Sequence, residues 1–174
     1  MALKVAIVGL SPSREGMPWG DYTWEKWGLP WDVEHWAKYD RLFEIHDARE
    51  LRTFPIDYLD RLNDCGRLYM QAAYPDFPDA TVYPFDDVQK AIGPLYFEST
   101  VAYMLALAIA EGAKEIALYG VDMGDDTPHG FQKANAEYFI GMARGKGIKV
   151  HIPASSPLCK YSGEFGYKTR YGLM

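Results

Sequence analysis

The apolar positions of the chain fall into two kinds of run. Short continuous ones occupy residues 3–9, 41–45, 67–71, 115–120 and 148–152. They are of strand length and partly β-branched, which predicts strands covered on both faces. Other segments repeat at helical spacing. Residues 55–63 place apolar side chains at 56, 59 and 62 behind a proline, and 131–144 place them at 131, 134, 138, 139 and 142. Both patterns suit amphipathic helices. Residues 101–110 are apolar all round, with Ser99-Thr100 as an N-cap and Gly112 as a stop. A helix apolar on every side is buried on every side. Residues 32–38 form one further short helix. The Gly-, Pro- and Trp-rich stretch 11–30 reads as an ordered loop, as does 74–84 with its three prolines.

Strands that alternate with helices predict an α/β chain: a single Rossmann-like domain over residues 1–152, with a mostly parallel sheet and helices on both faces. Residues 153–174 form a C-terminal tail that packs on the domain or on a partner. In open parallel sheets, ligands bind beyond the carboxyl ends of the strands, at a topological switch point. Three strand ends deliver polar residues here: Ser11 and Ser13, His46 and Asp47, and Asp122.

Composition changes this picture in three ways. Aromatics reach 15% of 174 residues, more than the core needs, so some are expected to line a pocket or a homodimer interface. A net charge of −6 argues against a broad nucleic-acid surface. Only Cys65 and Cys159 are present, which excludes a disulfide scaffold or zinc quartet and fits a reducing cytoplasm. No apolar run is long enough to span a membrane, and the start lacks the pattern of a signal peptide. A cytoplasmic protein is expected.

The chemistry-bearing residues cluster at the strand ends. Gly9-Leu10-Ser11-Pro12-Ser13 lacks both GxGxxG and GK[ST], yet its small residues and hydroxyls allow close approach of a phosphate or ribose. Ser99-Thr100 opens the buried helix, whose free N–H groups and partial positive charge suit a phosphate. Asp122 follows a strand and a glycine, where a carboxylate can hold a ribose hydroxyl, a metal or an acceptor hydroxyl. Asp125 and Asp126 beside it read as a solvated acidic turn, because the ligand series of a calcium loop is incomplete. His46 ends a buried strand, and His129 sits in the loop after the Asp122 strand. Either is placed to act as a general base or ligand contact. His35 reads as a surface or stacking residue and His151 as structural.

Three stretches together resemble a known family. Val5-Ala-Ile-Val-Gly-Leu-Ser-Pro-Ser13 is similar to the opening of bacterial sialyltransferases that use CMP-sialic acid, and the segment from Ser99 to Val121-Asp122 is similar to a second motif of theirs. Trp27-Gly28-Leu29 and Leu42-Phe-Glu-Ile-His46 fall where that family has its second and third strands. The chain is also similar to uncharacterised bacteriophage proteins with these W-G-L and F-E-I-H patterns, which implies a phage-encoded protein. Leu10 and Leu29-Pro30 stand where the sialyltransferases carry Asn, and Thr100 where they carry Gly.

The resemblance implies a metal-independent, nucleotide-sugar-dependent glycosyltransferase that transfers to a hydroxyl acceptor. Its nucleotide would lie against Gly9, Ser11, Pro12, Ser13, Trp27, Gly28, Ser99 and Thr100. Asp122 would sit near the ribose or sugar, His129 would be the general base, and His46 would project toward the same pocket. The alternatives are a non-catalytic protein that binds or sequesters a nucleotide signal, and a hydrolase of an N-glycosidic bond.

Overall fold

The computed structural model describes residues 2–93, 96–123 and 130–160. Its described strands are β1 (Lys4–Val8), β2 (Glu25–Gly28), β3 (Arg41–Glu44), β4 (Leu68–Met70), β5 (Thr81–Val82), β6 (Glu115–Tyr119) and β7 (Lys149–His151). They form one sheet in the order β5-β4-β3-β2-β1-β6-β7, with every pairing parallel. The chain runs outward from β1 to β5, then returns to the other side of β1 to lay down β6 and β7. The switch point therefore lies between β1 and β6, where Val5 pairs with Ile116 and Val8 with Tyr119.

The helices are α1 (Ala48–Leu51), α2 (Ile56–Leu62), α3 (Phe85–Ile92), α4 (Thr100–Ala110) and α5 (Gly130–Gly145). Alternation along β1 divides the core. Val5 and Ile7 join the apolar residues of α4 and α5 on one face, while Ala6 and Val8 meet Met17, Trp19 and Trp24 on the other. Leu42, Leu68 and Met70 carry that second face outward against Leu51 of α1 and Tyr58 and Leu62 of α2. Helices thus cover both faces. As its composition requires, α4 is buried all round, with Ala102, Met104, Leu105 and Ala108 fully inaccessible.

Two loop expectations are corrected. The stretch 11–30 contains β2, which its charged residues conceal: Lys26 is only 3% exposed, and its Nζ donates to the carbonyls of Asp21 (2.7 Å) and Trp24 (3.2 Å). The backbone N–H of Lys26 donates to Asp40 Oδ2 at 2.8 Å. A buried ammonium that donates to two carbonyls and lies against the Tyr22 ring can sit in a strand that composition alone would reject. The prolines of 74–84 frame the short edge strand β5, where proline is tolerated because one side of the strand goes unpaired.

Residues 153–160 close over the end of the sheet. Leu158 is fully buried in the α4–α5 core, Ser156 Oγ donates to Val121 O at 2.8 Å, and the Cys159 N–H donates to Glu137 Oε1 at 2.6 Å. No helix among the described residues is long and apolar enough to cross a membrane.

Candidate functional site

A cavity of about 640 Å³ opens beyond the carboxyl ends of β1, β2, β3 and β6. Gly9 and Ser11 reach it from β1, Leu29 from β2, His46 from β3, and Gly120 to Met123 from β6; Ser99 and Thr100 bring the start of α4. The floor is built by hydrogen bonds that extend the β1–β6 pairing past the strands. Gly9 N–H donates to Tyr119 O (2.8 Å), Ser11 N–H to Gly120 O (3.0 Å), and Gly120 N–H to Ser13 Oγ (3.0 Å). Ser13 N–H then donates to Asp122 Oδ2 at 3.2 Å. Asp122 Oδ1 is shielded from solvent and has no hydrogen-bond partner among the described residues. A buried carboxylate oxygen without a donor awaits one.

Gly9 and Gly120 are small for a structural reason. A Cβ on Gly9 would lie 2.2 Å from Gly120 O, and one on Gly120 would lie 2.5 Å from Gly9 O. Gly120 also adopts φ +66°, a conformation that favours glycine.

The start of α4 is aimed by its neighbours. Ser99 Oγ accepts from the Ala102 N–H at 3.3 Å. Buried Asn135 of α5 donates to Tyr96 O (2.9 Å) and accepts from the Glu98 N–H (2.9 Å), which fixes the residues just before the cap. Neither the Thr100 nor the Val101 N–H has a partner among the described residues. Two free donors at a helix N-terminus suit an anion.

Glu44 forms the most constrained part of the wall. It is 2% exposed, yet it lies in a strand whose neighbours Leu42 and Phe43 are apolar core. One carboxylate oxygen accepts from Tyr58 Oη, and the other pairs with His46 Nδ1. The bond to Glu44 raises the pKa of His46 above its ordinary value, against the opposing effect of burial. Burial and the same carboxylate push the Tyr58 hydroxyl upward, so it stays protonated. Trp31 stacks on Tyr58 at 3.8 Å and lines the cavity, as do Phe43, Phe97, Tyr103 and Phe131. The surplus of aromatics is partly spent here.

Six of the residues singled out in the sequence meet in this cavity: Gly9, Ser11, His46, Ser99, Thr100 and Asp122. Others take different roles. Trp27 is fully buried in the core, its ring covered by the Arg41 guanidinium at 4.5 Å. Gly28 lies under the Tyr39 ring, which a Cβ would meet at 2.2 Å. Ser13 is buried beneath the floor, and Pro12 lines a neighbouring recess of about 460 Å³ with Arg14, Trp19 and His35. There His35 stacks on Trp19 and pairs through Nδ1 with Asp32 (2.9 Å), which also meets Arg14 and Tyr39. His151 pairs with Glu115 at the far end of the sheet. His129, Asp125 and Asp126 lie outside the described residues. Among the described residues, no group of three side chains is placed to hold a metal ion.

A single parallel sheet with a ligand-sized cavity at its switch point defines the class: a doubly wound α/β fold. Among solved structures, the chain is similar to the sialyltransferase CstII from Campylobacter jejuni in complex with cytidine-5'-monophosphate. The TM-score is 0.57 and the identity 18%, over 91% of this chain and 83% of that one. A complex of sialyltransferase CST-II with a trisaccharide acceptor and CMP gives 0.55 and 16%, over 86% and 80%. An alpha-2,3-sialyltransferase from Campylobacter jejuni in apo form gives 0.54 and 14%, over 88% and 76%. What is shared at these identities is the fold. No protein-family model and no curated relative matches the chain.

Proposed function

We propose that the chain is a nucleotide-sugar-dependent glycosyltransferase that acts on a hydroxyl acceptor without a metal. The observation that carries this reading is the convergence, in one cavity, of the free N–H groups of α4 with the unsatisfied Oδ1 of Asp122. The first suits a phosphate, and the second accepts from a sugar or ribose hydroxyl. Structures with this fold hold CMP, and one also holds a trisaccharide acceptor, which supports the same assignment.

In this reading the nucleotide lies along Gly9, Ser11, Ser99 and Thr100, with aromatic wall residues available to stack on its base. The acceptor oxygen attacks the anomeric carbon while the bond from that carbon to the phosphate oxygen breaks. The electron pair leaves with the nucleotide, and the acceptor proton passes to His129. Loss of a general base costs roughly 10²–10⁴-fold in rate. His129→Ala is expected to lower turnover by that order and leave nucleotide affinity unchanged.

The test supplies CMP- and UDP-linked sugars to the protein in EDTA and follows products by mass spectrometry. A transferred or hydrolysed sugar with release of nucleotide supports the proposal. Tight binding without turnover identifies a nucleotide-sequestering protein, and release of free base identifies an N-glycosidic hydrolase. Loss of activity in EDTA, restored by magnesium or manganese, would overturn metal independence.

A further inference from the structure

We infer that His46, held through Nδ1 by the buried carboxylate of Glu44, is the cation that receives the phosphate of the bound nucleotide, with Glu44 as its positioning residue. The inference rests on the transferase reading and deepens it. Its starting point is a charge imbalance. Glu44, Glu50, Glu98 and Asp122 all line the cavity, and no Lys or Arg is among its described lining residues. Only His46 in that lining can become positive. A phosphate entering such a site needs a counter-charge beyond the partial charge of a helix end.

The geometry supplies one. His46 Nδ1 is committed to Glu44, and Nε2 has no partner among the described residues. The Phe54 ring packs edge-on against the imidazole at 4.9 Å and limits its swing. Glu44 is locked in turn by Tyr58 Oη, so the negative end of the pair is held in the wall while the positive end remains at the cavity.

The charged groups with the largest influence on His46 favour its protonated form, with Arg49 on α1, which pairs electrostatically with Asp47, the nearby cation. Glu44 on β3, and Asp47 and Glu50 at the start of α1, are acidic. Tyr58 on α2 and Tyr74 after β4 keep their protons, since burial and nearby carboxylates raise both hydroxyls. The bond to Glu44 raises the imidazole pKa before any ligand arrives. The pair therefore takes up its proton at a higher pH than a free imidazole does, and a bound phosphate strengthens that uptake.

The experiment measures the affinity of CMP and of uncharged cytidine by calorimetry between about pH 6 and pH 8, the window around an ordinary histidine. Wild type, His46→Gln and Glu44→Gln are compared. Relative to His46→Gln, wild-type CMP affinity is expected to fall as pH rises, approaching roughly tenfold per unit above the His46 midpoint, while cytidine stays flat. His46→Gln should bind CMP weakly and keep only the slope that the CMP phosphate's own second ionisation, at about pH 6, imposes, and Glu44→Gln should shift the histidine slope to lower pH. An unchanged slope in His46→Gln, or parallel behaviour of CMP and cytidine, would overturn the inference.

If neither ligand binds the wild type, the transferase reading fails on its own terms. The His46 ring resonance, followed by NMR with inorganic pyrophosphate as probe, then decides the inference. A midpoint raised by pyrophosphate upholds the phosphate-receiving cation, and an unmoved midpoint removes it.

Discussion

At the scale of single residues, the Glu44–Tyr58–His46 network joins stability to pH. His46 has a raised pKa in the folded protein, so its contribution is fully present below the ordinary value of about 6.5 and is lost as pH rises through the folded value. Melting temperature should decline across that window and flatten in His46→Gln. Tyr58→Phe removes the donor to Glu44 and leaves a buried carboxylate oxygen unmet. Stranding such a group costs about 1–3 kcal/mol, more when it is charged, so chemical denaturation at neutral pH should show at least that loss. Glu44 escaped the sequence reading although its signal was present: a lone carboxylate inside Leu42-Phe43-Glu44-Ile45. An acid in a buried strand implies partners, but Tyr58 stands 14 positions away, and nothing local identifies it. Trp27 is the converse case: tryptophan serves core and pocket equally well, and the register of β2 puts this one in the core.

At the scale of elements, β1, β3, β4, β6 and β7 and helices α2, α4 and α5 fall on the segments their patterns predict, while α1, α3, β2 and β5 do not. Helix α4 lies where its apolar run and Ser99 cap placed it, and β1 and β6 end where Gly9 and Gly120 demand. Their signals are local. Strand β2 depends on tertiary partners, the carbonyls that satisfy Lys26, whereas α3 carries unused local signals in Asp86 and Asp87 of its first turn, Lys90 of its last and Gly93 at its stop. The N-cap links an element to function. Ser99→Ala should cost about 1 kcal/mol of stability through the lost bond to the Ala102 N–H. It should also weaken nucleotide binding by more than that stability loss explains, because the cap sets the aim of the Thr100 and Val101 donors. Parallel denaturation and calorimetry on one variant separate the two effects.

At the scale of the whole molecule, the reversal of strand order between β1 and β6 brings two chain segments more than a hundred residues apart into backbone contact. That contact has a consequence for how the protein can change over generations. Each of Gly9 and Gly120 would drive a Cβ into the other's carbonyl, so neither position can be altered first, and no sequence of single substitutions leads away from the pair. The crevice floor is an evolutionary dead end, and new specificities must be written on the walls. Saturation mutagenesis selected only for folded protein, with no ligand supplied, should return glycine at both positions while Ser11 and Thr100 drift freely. Had Gly9 been kept to make room for a ligand, the same selection would let it drift as well. Sequencing the survivors would therefore separate what the fold forbids from what the substrate asks.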